Sequence, residues 1–229
     1  MKIKVIEWFK KGRFHRNDGP AVIHEDGTKE WYRNGKLHRT DGPAIERPNG
    51  TKEWYRNGKL HRTDGPAIEY KEGTKSWMQN GKLHRLDGPA VEYSNGDKYW
   101  FKNGNRHRIG GPAVEYADGT KEWYKNGEIH RLDGPALEWF NGDTEWYKHG
   151  KRHRLDGPAV EYADGTRDWY KNGKLHRGYD NPAIEYANGD KEWYKKNRLH
   201  RIYGPAIERA DGHHMWFENG VYLKTMNFH

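Results

Sequence analysis

The 229-residue chain contains no cysteine. Disulfide frameworks, thiolate metal sites and cysteine nucleophiles are thereby excluded, while the redox compartment stays open. Serine occurs only at Ser76 and Ser94, so serine nucleophiles are scarce as well. Leu, Ile, Val and Phe together number 32, about 14% of the chain, well short of an ordinary aliphatic core. No stretch approaches the roughly 18 apolar residues of a membrane span. Met1 to Lys11 has no apolar run of signal-peptide length. The expectation is a soluble, cytoplasmic protein.

With 32% charged residues and so few aliphatics, the composition alone resembles that of a disordered chain. Two counts point the other way. Trp and Tyr contribute 11 and 15 large rings, and the net charge of +8 is spread thinly along the chain. Disordered chains avoid aromatic residues and repel themselves; this one does neither. It is expected to fold, with stability resting on ladders of aromatic rings rather than on a sealed core.

Self-similarity dominates the chain. His-Arg recurs every 23 residues from His15 to His176, then at His200 after 24. Trp keeps step from Trp8 to Trp216, with Trp139 alone out of phase, and Pro-Ala marks the same unit from Pro20 to Pro205. Nine copies fill nearly the whole length. Each holds two short runs rich in β-formers, such as Ala113-Val114-Glu115-Tyr116 and Lys121-Glu122-Trp123-Tyr124-Lys125, punctuated by Asp118-Gly119 and Asn126-Gly127. Asx-Gly pairs between such runs are strong hairpin signals. The Gly-Pro and Asn-Gly pairs interrupt any helix within about ten residues. The fold class is all-β: an elongated, twisted, single-layer antiparallel meander of about nine repeats with two strands each. At about 10 Å per repeat it would be quasi-one-dimensional. One domain spans 1–229, with a capping strand at 1–14, repeats at 15–216 and a second cap at 217–229.

Register follows from turn length. Two-residue loops place Tyr116 opposite Lys121 and Val114 opposite Trp123, then Trp123 opposite His130 and Tyr124 opposite Ile129. This register sets Glu115 against Glu122, an unfavourable like-charge pair. An arginine bridge or a three-residue loop would relieve it.

The run Trp31-Tyr32-Arg33-Asn34-Gly35-Lys36-Leu37-His38, followed by Asp41-Gly42 and the Asn49-Gly50 turn, resembles the MORN (membrane occupation and recognition nexus) repeat. It is most similar to the second, bacterial and viral variety, including strings found in phages and giant viruses. The resemblance covers almost the full chain, departing where Arg replaces the usual Gly after His. It implies an extended sheet used as a scaffold or binding surface, with no shared catalytic residues. A viral protein that sequesters or inhibits a host factor, working in the host cytoplasm, fits that implication.

The arginine after each His has two readings: a cationic fork for phosphates or an acidic partner, or a structural partner for the Asp two residues on, as at Arg39/Asp41. Gly110 and Tyr203 replace that Asp, so Arg108 and Arg201 are the arginines expected to be free. Histidines one repeat apart are too distant to share a metal ion, so no metal or other cofactor is expected. Carboxylates recur as on a solvated face, with no deep cleft implied, so no enzyme is expected either.

The pI is about 9.4, and cations lie beside rings, which suits nucleic acid or another phosphorylated ligand. Interspersed acids blunt the field. The most basic segment contains His149, Lys151, Arg152 and Arg154. Repeat breaks single out Trp139, Tyr179 in an inserted turn, and Lys196 and Arg198 where the turn Gly is lost. Docking sites and drift in a redundant array are both open readings of these breaks. The expected function is non-catalytic binding of a protein partner, acidic in character. Nucleic acid or a phosphorylated ligand is the alternative, and membrane association is not expected.

Overall fold

The computed structural model describes residues 5–228 and, among them, consists of strands and turns without a helix. Residues 1–4 of the expected N-terminal cap and His229 of the C-terminal one lie outside the described residues. Each repeat folds into four short strands. In the repeat beginning at His38, the inner strands are Ile45–Glu46 and Lys52–Glu53, and an outer hairpin pairs Tyr55–Arg56 with Lys59–Leu60. Inner strands pair antiparallel within and between consecutive repeats, giving a meander with two such strands per repeat. The chain's contacts divide into two compact units, one ending at Ala117 and one starting at Asp118, and each holds ten inner strands among the described residues.

The two Asx-Gly turns differ in length, which corrects half of the expected register. The outer turn has two residues. Asn57 and Gly58 are both left-handed, at φ 53° and 77°, and Tyr55 faces Leu60. The expected Tyr124–Ile129 pair forms in the same way, and His130 N–H donates to the Trp123 carbonyl at 3.0 Å. The inner turn has three residues. Arg47 N–H donates to Thr51 O at 3.0 Å across Pro48-Asn49-Gly50, and of these only Gly50 has positive φ, 93°. That is a type I turn closed by a glycine bulge. The Asn49 side chain accepts the Thr51 N–H at 2.9 Å, a local bond that draws the turn around one more residue.

The extra loop residue slips the inner register by one. Val160 faces Asp168, rather than the Trp that the Val114–Trp123 expectation would require. It also removes the Glu–Glu clash. Glu46 lies between Lys29 and Lys52, and Glu115 faces Lys98. One stripe of the inner ladder thus alternates cation and anion, which favours it. The other alternates aliphatic with polar or acidic residues, as in Ile45–Glu53 and Leu137–Glu145.

The sealed positions are small aliphatics, contrary to the expectation of aromatic ladders alone. The alanine of every Pro-Ala is fully buried, and the residue after it (Val22, Ile45, Val114, Val160) is buried too. Burying a Val or Ile side chain contributes roughly 1.5–3 kcal/mol. Outer hairpins are tied to one another by backbone and histidine. Gly58 N–H donates to Leu37 O at 2.8 Å, and Asn57 N–H donates to His38 Nδ1 at 3.1 Å. The same histidine bond recurs from Asn34 to His15 and from Asn172 to His153. The C-terminal segment departs from the repeat as a longer hairpin, His213–Glu218 with Val221–Asn227.

Candidate binding site

The repeating arginine is a clamp. Arg39 stacks over Trp31, 4.2 Å from the ring centroid. Its Nε donates to Asp41 at 3.1 Å, and one terminal nitrogen donates to the Pro43 carbonyl and to Glu46. The guanidinium lies across Gly42, where an added Cβ would stand 2.9 Å from Arg39 Cζ. Glycine is required here for space, since its φ is not in the left-handed range. The Arg39 hydrogen bond holds the Asp41 carboxyl below the usual carboxylate range. The Asp pairing recurs at Arg16, Arg62, Arg85, Arg131 and Arg154, which is the structural reading of this arginine.

Three clamps lack their own Asp, and they resolve differently. Arg201 is not free, contrary to expectation. Asp180, from the inserted turn of the preceding repeat, takes its Nε at 3.1 Å, and Glu208 and the Pro205 carbonyl take Nη1. Tyr179 and Asp180 both adopt positive φ, 60° and 55°, to deliver that carboxylate. The Asp180 carbonyl also accepts from Trp193 Nε1 at 2.9 Å. Arg177 consequently loses a turn acid, a break that Tyr179, two residues on, marks in the sequence and that the expectation of free arginines overlooked. Arg108 is half as expected: it stacks on Trp100 and bonds Glu115 and the Pro112 carbonyl through Nη1. Among the described residues, the Nε edges of Arg108 and Arg177 face no carboxylate. Their side chains are 32% and 28% exposed, against 20% for Arg39 and 16% for Arg201.

Each of these two arginines lines a groove, one in each unit. The first, about 500 Å³, runs between Leu86 and Ile109, with Trp100 and Lys102 in its lining. The second, about 250 Å³, is lined by Arg177, Tyr179, Trp193, Lys195, Ile202 and Tyr203. Trp100 and Trp193 are the two buried tryptophans among the described residues. The groove rims are apolar and solvated: Leu86 and Ile109 are 78% and 85% exposed, and Tyr179 is fully so. Leu132, Leu155 and Ile202 occupy the same tip position, which in the early repeats holds Asn17, Thr40 and Thr63. Sequence reasoning missed this row. Its signal was an aliphatic residue directly after His-Arg, in a turn that has no core to face.

The basic segment around Lys151 is largely neutralised. Arg152 Nε donates to the buried Glu145 at 2.7 Å and stacks near Tyr170, while Arg154 pairs with Asp156 and Glu161 over Trp146. His149 lies tilted against His130, ring centroids 4.7 Å apart, near Glu128. Trp139 is half-exposed, with its Nε1 donating to Glu145 at 3.2 Å. Lys151, Lys196 and Arg198 are exposed. The hairpin at Lys196-Asn197 keeps its two-residue turn because Asn197 takes the left-handed place of glycine at φ 68°.

Among the described residues no group of three His, Asp or Glu side chains is placed to hold a metal ion, and no helix is long and apolar enough to cross a membrane. No protein-family model matches the chain, and no curated protein matches it either.

Proposed function

We propose that this chain is a non-catalytic binding protein whose grooves at Arg108 and Arg177 receive an acidic, partly apolar segment of a protein partner. The observation that carries the reading is the coincidence of a guanidinium edge that faces no carboxylate among the described residues with exposed aliphatic or aromatic rims, at Arg108 between Leu86 and Ile109 and at Arg177 beside Tyr179 and Tyr203. In six sibling repeats that edge holds the carboxylate of a turn Asp. A partner's Asp or Glu would reproduce a bond the fold already makes, with its neighbouring apolar side chains against the rims. Hydrogen bonds to a charged group contribute about 1.5–3 kcal/mol each, enough to orient a segment whose affinity comes from apolar contact.

The test is binding of a labelled peptide alternating Glu and Leu, with a Lys–Leu peptide and a single-stranded oligonucleotide as comparators, followed by fluorescence anisotropy. The Glu–Leu peptide is expected to bind best, to survive moderate salt, and to weaken about tenfold or more in the Arg108→Gln, Arg177→Gln double variant. Tighter oligonucleotide binding with a steep salt slope would instead favour recognition of phosphate.

A further inference from the structure

The seven residues Val221–Asn227 form the longest strand of the molecule among the described residues, and every one of them is exposed. They pair with His213–Glu218 along one edge, and among the described residues no other pairing involves them. Val221, Tyr222, Leu223 and Met226 make this an apolar edge with a single charge, Lys224, whose amine sits 4.7 Å above the Trp216 ring. An edge of this kind is a template for another strand.

Register says which strand fits. Met215 faces Thr225 and His214 faces Met226. In the interior, Glu30 faces Ile45 and Lys29 faces Glu46. Thr225 and Met226 therefore stand where Ile45 and Glu46 stand, as the first inner strand of a further repeat. The partner missing on their open edge is a second inner strand, which in the interior pairs as Ile45–Glu53 and Glu46–Lys52.

Ile6–Glu7 is such a strand. It faces Ile23 and Val22, as Lys29–Glu30 face Glu46 and Ile45, and among the described residues its other edge has no partner. What that edge lacks is a first inner strand, the role that Thr225 and Met226 fill.

We propose that a second copy of this chain docks by adding its Ile6–Glu7 edge to the Val221–Asn227 edge of the first, with Met226 opposite Ile6 and Thr225 opposite Glu7. The composition of the two edges is matched. Where the interior sets Glu against Lys, this junction sets Met226 against Ile6, both roughly half-exposed without it. Pairing of Val221–Asn227 with its own twin, centred on Lys224, would instead bring two lysines face to face, which is unfavourable. The junction is heterologous, so it adds copies in sequence rather than closing a symmetric dimer. It is independent of the two grooves.

Sedimentation equilibrium on the full chain tests this. The weight-average mass is expected to rise with concentration above the 27.0 kDa of one copy. Ile6→Lys and Met226→Glu alone should each weaken association about tenfold. The double variant should regain it, because the introduced lysine and glutamate then face each other as the Glu–Lys pairs of the interior do. Local precedent shows that both residue types are tolerated: Lys29 already faces Ile23, and Glu208 already faces His214. Unchanged circular dichroism confirms that the variants fold. A concentration-independent mass of one copy, loss from Met226→Glu without loss from Ile6→Lys, or a double variant no better than either single would overturn the proposal.

Discussion

At the scale of single residues, the arginine clamp explains more of the repeat than any other group. One guanidinium covers a Trp ring, a glycine, a turn carboxylate and a proline carbonyl. Stacking of this kind contributes about 0.5–2 kcal/mol. The pairing of Arg39 with Asp41 was legible from spacing, and so was the break at Gly110. The fate of Arg201 was not. It depends on one inserted residue moving Asp180 from its own arginine to the next, and contact across a repeat boundary leaves no local pattern. The clamp gives a prediction at the glycine. Gly42→Ala pushes a methyl into the Arg39 guanidinium and should cost about 1–3 kcal/mol of stability, the usual penalty of overpacking. Chemical denaturation measures it. Gly110→Ala, with nothing within 4 Å of its added Cβ but a φ of 77°, should cost only the backbone strain, about 1–2 kcal/mol. It should leave the Arg108 stack in place.

At the scale of elements, the hairpins were legible and the inner loop length was not. Asn-Gly and Asp-Gly look alike as turn signals. What separates them here is the bond the inner Asx side chain makes two residues on: it takes the N–H of Thr51 and Thr166, and equally that of Asp97 and Asp143. The histidines that join outer hairpins accept a backbone N–H, and that bond makes stability depend on pH. His153 Nδ1 accepts the Asn172 N–H, so the imidazole must be neutral at that nitrogen, and a proton there turns acceptor into donor. Burial holds His130 and His153 below the ordinary value of 6.5. A lowered value means the folded state takes up its proton later than the unfolded chain does. Their contribution is therefore complete above 6.5 and is lost as pH falls through the folded values.

Asp168 works in the opposite direction. Burial raises it from 3.8 to about 6, so its charge lowers stability as pH rises through that interval. Asp168→Asn is expected to stabilise the fold by about 1–3 kcal/mol at neutral pH and to change little near pH 3. With this opposing carboxyl removed, the histidines stand alone, and the midpoint of the variant should fall as pH drops from 7 to 5. Thermal unfolding of both proteins across pH checks the two trends. A variant midpoint flat from pH 7 to 5, or an Asp168→Asn effect independent of pH, would contradict them.

At the scale of the molecule, the sequence pattern disclosed the repeat and the all-β class. Grooves form between repeats even where the turn acids are present, as between Arg16 and Arg39; what stayed hidden is that a missing acid and an apolar tip coincide in the two at Arg108 and Arg177. Among the described residues, seven of the nine arginines stacked on tryptophan have Nε bonded to a carboxylate, six to their own turn Asp and Arg201 to Asp180. Among the described residues, Arg108 and Arg177 bond only through Nη1. Similar scaffolding surrounds all nine, so the seven serve as internal controls for the two.

The most direct test is therefore a ¹H–¹⁵N spectrum of the arginine Nε–H groups, recorded alone and during titration with the Glu–Leu peptide. Among the nine arginines stacked on tryptophan, seven slowly exchanging signals are predicted, with the two from Arg108 and Arg177 exchanging fast and becoming protected and shifted as peptide is added. Nine equivalent signals, or a peptide response spread evenly over all of them, would contradict the claim that these two grooves are the binding sites.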